Sequence, residues 1–274
     1  MSLDGPPIAR VARIDPDAVA SARSRALDFV LAHGDELAGR RARALVDRGR
    51  APALAGWLGG LQQPDGGFAA GSGETLASTR RAIAALVQVG VLHGAVVERA
   101  VACLGRAQRP DGRWQPAQDA SEGAALEATG RIAGVLARTP CARTRTLDAA
   151  ADWLAARFAP ERVQGFARGA LAAYAATFAN VPHESADAIL QWCGRELERG
   201  FRAGAFDAVR TARLLVDCDA PSLPGARLES DELVAALLRE QQPDGGWAAP
   251  DASPACRAAR ALDALAGLAR LAFR

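Results

Sequence analysis

Gln62-Gln63-Pro64-Asp65-Gly66-Gly67-Phe68 is written twice more along the chain, as Gln108-Arg109-Pro110-Asp111-Gly112-Arg113-Trp114 and as Gln241-Gln242-Pro243-Asp244-Gly245-Gly246-Trp247. The third copy matches the first at six of seven positions. Each copy is preceded by apolar residues at helical spacing: Leu54, Leu58 and Leu61; Val97, Val101 and Leu104; Leu233, Leu237 and Leu238. A second helical run follows each. The repeat unit is therefore helix, sharp glycine turn, aromatic anchor, helix.

The residues suit that role. Proline fixes φ at the second turn position, aspartate can bond back to the backbone, and glycine takes the positive φ that ends a helix. The aromatic can then pack over the end of the preceding helix, where glutamine amides are placed to bond otherwise unpaired backbone groups. The repeat positions are Gln63, Asp65, Gly67 and Phe68; Asp111 and Trp114; and Gln242, Asp244, Gly246 and Trp247.

The 133 positions from Asp111 to Asp244 hold three units of about 44 residues, so two degenerate copies are expected between them. Gln164-Gly165-Phe166 and Gly200-Phe201 supply the required glycine–aromatic pairs. Helical patterning then predicts helices at 51–62 and 75–89, 94–107 and 121–138, 144–157 and 163–178, 184–198 and 205–217, and 228–241 and 254–272. Runs at 18–33 and 35–48 precede the first clear repeat and form a sixth hairpin. Residues 1–15 read as a loose arm, and 16–274 as a single domain. The expected helix content is about 65–70 %, twice the usual share, with no sheet.

Composition agrees. Half of the 274 residues are apolar, with alanine dominant and aromatics at only 5 %, which suits helices packed closely through small side chains. The net charge of +2 points to neither nucleic acid nor an acidic partner. All 33 basic residues are arginine. The five cysteines are scattered without CxxC spacing, as in a reduced, cytoplasmic protein. No signal-like leader is evident, and the longest nearly apolar run, Gly169 to Val181, is too short to span a bilayer.

At the Gln-Pro-Asp-Gly-Gly-aromatic turns the chain resembles the terpenoid cyclase and protein prenyltransferase superfamily, whose "QW" repeats join outer and inner helices of an α/α toroid. The resemblance covers about residues 51–272. It implies an all-α fold, an (α/α)5–6 toroid of helical hairpins. The run after each turn becomes an inner helix around an apolar cavity, and the ligand becomes an apolar small molecule or a prenyl diphosphate.

The superfamily's catalytic motifs are missing. There is no Asp-x-Asp-Asp for protonating an alkene, no Asp-Asp-x-x-Asp for magnesium, and no spaced Asp, Cys and His set for zinc. No cofactor or metal is therefore expected, except magnesium accompanying a diphosphate. The nearest match to the catalytic acid is Asp207, a single carboxylate at an inner-helix start. It is the first candidate for a catalytic acid, although an acid favoured by the helix dipole is the plainer and weightier reading of that position. Asp217 and Asp219 fall at a helix end and read as solvated loop acids.

Arginine recurs on the expected inner helices at Arg80, Arg81, Arg131, Arg168, Arg210, Arg213, Arg257 and Arg260. Converging guanidinium groups can hold a diphosphate or carboxylate by bidentate bonds. Arg81, Arg131, Arg213 and Arg260 are the candidates for an anionic head, with Tyr174, Phe178 and Phe206 as apolar lining. Glu74, Glu122 and Glu127 are candidate partners. Glu122 or Glu127 with Asp207 would be the carboxylate pair of a carbohydrate-active barrel. A non-catalytic toroid binding a lipid or protein is the competing class.

Overall fold

The computed structural model describes residues 14–68, 75–165 and 168–272. Helix makes up 67 % of the described residues, with no strand among them. Among the described residues thirteen α-helices follow one another: α1 (Pro16–His33), α2 (Glu36–Val46), α3 (Ala51–Leu61), α4 (Thr75–Gln88), α5 (Ala95–Arg106), α6 (Glu122–Ala137), α7 (Thr144–Ala155), a single turn α8 (Pro160–Val163), α9 (Arg168–Phe178), α10 (Ala186–Arg202), α11 (Ala208–Asp217), α12 (Ser230–Glu240) and α13 (Pro254–Leu271). Most of the arm, the Phe166 anchor, Glu74 and the side chain of Arg168 lie outside the described residues.

Local chemistry sets the starts. Asp15, Asp35, Ser121, Asp207 and Ser253 each cap a helix by accepting from a backbone N–H two or three residues on. Pro16 and Pro254 occupy first-turn positions where no N–H is needed.

The three clear turns are built alike. In the first, Asp65 Oδ1 accepts from Gly67 N at 2.8 Å, and Gly66 takes φ +86°. Asp244 likewise accepts from Gly246 N at 3.0 Å. The side chain that reaches outward is the glutamine before Gln63 and its equivalents. Gln62 Nε2 donates to Gly66 O and to Val96 O, both at 2.9 Å. Gln108 Nε2 joins Gly112 O to Thr146 O, and Gln241 Nε2 joins Gly245 O to Ala22 O. Each turn thus staples itself to a neighbouring hairpin's first helix: α5, α7 and, for the third, α1. A methyl group on Gly66, Gly112 or Gly245 would be driven into the carbonyl of Arg99, Ala149 or Arg25, so only glycine lets the turn sit this close.

The anchors seal the helix ends. Trp114 and Trp247 are fully buried, and their indole N–H groups donate to Leu104 O at 2.7 Å and Leu237 O at 3.0 Å. Losing a buried indole costs about 3–5 kcal/mol, against a net of about 1 kcal/mol for one neutral hydrogen bond. Packing therefore dominates, which is why Phe68, with no N–H to give, can hold the same place.

The fourth turn departs from expectation. Helix α10 runs through Gly200 and Phe201 to Arg202, and the chain turns at Gly204, φ +70°. The buried aromatic is Phe206, whose ring lies against Gly200 where any Cβ would sit; Phe201 is only half-buried. The Gly-Phe pair was read one turn too early because an α-helix carries glycine when a ring needs that space.

Helices α4, α6, α9, α11 and α13 follow one another in contact, and α13 packs on α2. Arg41 of α2 donates to the Gln88 side chain of α4. The tightest pair is α6 and α9, where Gly130 and Gly134 meet Ala173 and Ala176 backbone to backbone and Thr177 Oγ1 donates to Gly130 O at 3.1 Å. The first helix in turn packs on α12 and α13. Arg25 Nη2 donates to Gln241 Oε1 at 2.6 Å, and the Arg257 guanidinium lies 4.8 Å over the Phe29 ring. The contacts of the last hairpin thereby return to the first.

Candidate binding cavity

A cavity of about 410 Å³ lies where α4, α6, α9, α11 and α13 face one another. Helical spacing builds its wall: Arg80, Ala84 and Gln88 on α4; Arg131, Val135 and Arg138 on and just after α6; Arg210, Arg213, Leu214 and Asp217 on α11; Arg260 and Asp263 on α13. Positions three and four apart share one helix face, so each helix contributes one stripe. Leu171, Ala172 and Ala176 of α9, with Leu197 and Phe206, make the apolar side. A larger groove of about 930 Å³ lies outside, between α5 and α7, and holds none of the expected residues.

Six guanidinium groups and two carboxylates meet in this cavity. Both carboxylates belong to one arginine. Arg213 Nε donates to Asp217 Oδ2 at 2.9 Å, and its Nη1 donates to Asp263. Arg41 Nη2 also approaches Asp263, at 3.8 Å. Arg260 reaches out to Asp207 at 2.8 Å, and Arg138 to Asp219 at 3.4 Å. Asp219 sits at φ +55° just past α11, where it also takes Arg270.

Arg80 differs from these. Among the described residues it has no ion pair and no side-chain hydrogen bond. Burial, reinforced by the positive Arg213 and Arg131 nearby and opposed by Asp217, pushes it down to about 10. Burial and Arg213 push Arg41 to about 10 as well, against the opposing Asp263 and Asp217. Gln88, 8 % exposed, accepts from Arg41 through Oε1, and its Nε2 has no partner. The Nε atoms of Arg41 and Arg260 are likewise buried and unpartnered. Among the described residues, donors in and behind the cavity wall thus outnumber the acceptors there.

Among the expected site residues, Arg131, Arg213, Arg260 and Phe206 line the cavity. Arg81 does not: it lies on the exposed face of α4, one residue round from Arg80. Tyr174 and Phe178 do not either. They are buried in the packing, Tyr174 edge-on to Phe158 at 5.1 Å and stacked with Phe178 at 6.4 Å. Asp207 lies outside the cavity wall, where it caps α11 through Arg210 N at 2.9 Å and holds Arg260. Glu122 pairs with Arg162 at 3.2 Å, and Glu127 with Arg131 at 3.6 Å; neither lines the cavity. Asp217, expected in a solvated loop, ends α11 and faces inward. Gln88 and Arg138 were missed, although each continues by helical spacing the stripe that Arg80 or Arg131 begins.

Among the described residues no three His, Cys, Asp or Glu side chains are grouped to hold a metal ion. No helix among them is long and apolar enough to cross a membrane. Comparison of the chain with protein-family models and with curated proteins returns no match.

Proposed function

We propose that this chain is an α/α toroid of six helical hairpins, of the terpenoid cyclase and prenyltransferase kind, that binds an isoprenoid or similar apolar molecule in its lumen. The toroid is supported by the three stapled turns and by the clasp between Gln241 and Ala22. The ligand class is supported chiefly by one observation: a single cavity faces five successive repeat helices, with an apolar side of Leu171, Ala176 and Phe206 opposite a cationic one. Its volume of about 410 Å³ falls within the range of small-molecule sites.

Binding is favoured over acid-initiated cyclisation because both carboxylates in the cavity wall, Asp217 and Asp263, hold Arg213 and Asp207 beside it holds Arg260, while Glu240, which burial pushes up, accepts from Ala208 N and does not line the cavity. Alkene protonation needs a neutral acid, and guanidinium partners favour the charged form. The same pairing weighs against glycoside chemistry. The test is incubation with farnesol and with farnesyl and geranylgeranyl diphosphates, reading binding by calorimetry and products by gas chromatography–mass spectrometry. Binding without turnover is expected. A cyclised product lost in Asp207→Asn would overturn the binding reading in favour of catalysis.

A further inference from the structure

The donors around the cavity outnumber the acceptors, and two of those left over lie on one stripe of α4. Among the described residues Arg80 has no ion pair, and the carboxylate that opposes its shift, Asp217, is engaged by Arg213; Gln88 is held by Arg41 through Oε1, and its buried amide nitrogen has no partner. Arg131 and Arg213 are close enough to Arg80 to disfavour its charge. A half-buried charge without an ion pair and an unpaired buried amide are both costly. Both costs are relieved by a group that only accepts hydrogen bonds and carries more than one negative charge.

A divalent cation commonly bridges such a head to protein carboxylates. Here the two carboxylates that a cation would need, Asp217 and Asp263, are both engaged by Arg213, and Asp263 is also approached by Arg41. Among the described residues no other Asp or Glu lines the cavity. A cation would have to displace a buried arginine and then add positive charge to a wall already in excess of it.

Resting on the cavity reading above, we infer that the lumen recognises a multiply charged, phosphate- or carboxylate-type head through guanidinium and amide donors alone. No divalent cation stands between protein and anion; Arg80 is the residue that meets the head, and Gln88 stands behind it on the same stripe of α4. Neither residue is a repeat position. Arg80 is a point of specificity: it favours a charged ligand over the corresponding alcohol, which cannot repay its burial.

The probe is inorganic pyrophosphate, titrated into the full chain by calorimetry with EDTA or with excess Mg²⁺, and farnesol is titrated in parallel. Pyrophosphate is expected to bind in EDTA within about twofold of its affinity with Mg²⁺, and Arg80→Gln to weaken it at least tenfold, the scale of one charge-assisted contact. Arg81→Gln removes the same charge from the exposed face and leaves affinity unchanged, separating a site from a general field. Circular dichroism checks that both variants fold; the EDTA comparison on the unaltered chain stands independently of them. Binding that appears only with Mg²⁺, or that Arg80→Gln leaves intact, overturns the inference. Farnesol binding without pyrophosphate binding overturns it too, while leaving the cavity reading in place. Pyrophosphate binding without farnesol binding supports it and removes the apolar ligand instead. Failure of both probes removes both.

Discussion

A glycine can be present because nothing else fits or because nothing is there, and this chain has both kinds. Gly245 takes φ +90°, with its Cα pressed on the carbonyl of Arg25. Gly56 lies in the interior of α3 with no atom within 4 Å of the place a Cβ would occupy. Gly245→Ala is expected to destabilise the fold by at least about 2 kcal/mol through strain and clash. Gly56→Ala should stabilise it by roughly 0.5–1 kcal/mol by restricting the unfolded chain. Urea unfolding of the two variants measures both. The residue scale was the least legible in the sequence. Asp207 is expected from the sequence as the first catalytic-acid candidate or as an acid favoured by the helix dipole; the geometry has it capping α11, and that it also holds a cavity arginine depends on α13 arriving from 53 positions further on. Likewise Arg80 and Arg81 are indistinguishable in sequence. Which of the two faces the lumen is set by a rotation of about 100° around α4, fixed by packing against α6.

At the scale of elements the reading was close, because capping and periodicity are local. The predicted start and end of α7 and α13 fall within two residues of those observed, at Thr144–Ala155 and Pro254–Leu271. What failed was the assumption that a glycine followed by an aromatic always marks a turn, and α10 passes through that pair. The third turn gives a pH test. Asp244 lies below its ordinary 3.8 because, although burial pulls it upward, Gly246 N and the Arg257 guanidinium favour its charged form. A depressed carboxylate contributes stability that is complete above its unfolded pKa and is lost as pH falls through the folded one. The melting temperature should therefore fall between pH 5 and about 2. In Asp244→Asn, which can still accept from Gly246 N but has no charge to lose, that fall should be shallower. Equal slopes in the two proteins would mean the turn contributes nothing to acid sensitivity.

For the whole molecule, the decisive contacts are those the sequence could only hint at. The N-terminal pair was legible as two helices, but not where its partner lay. Helix α13 buries Ala258, Leu262, Leu265 and Leu268 in a core whose neighbours include α1 and α2. In an open stack each unit touches only the next, so losing a terminal one leaves the rest folded. Here, deleting residues 1–34 is expected to abolish cooperative thermal unfolding and to produce strong binding of a hydrophobic dye. A truncated chain that still melts in one sharp transition would argue for a stack.

The bond from Gln241 to Ala22 has one more implication, concerning growth. A pile of like parts can be lengthened by copying one of them, and its binding surface lengthens in proportion. A chain whose last turn clasps its first helix has a fixed membership. One more hairpin would pull the clasp apart before it enlarged anything. Any new ligand must be accommodated by exchanging side chains along the existing stripes, so the number of units can persist while the cavity they enclose is rewritten.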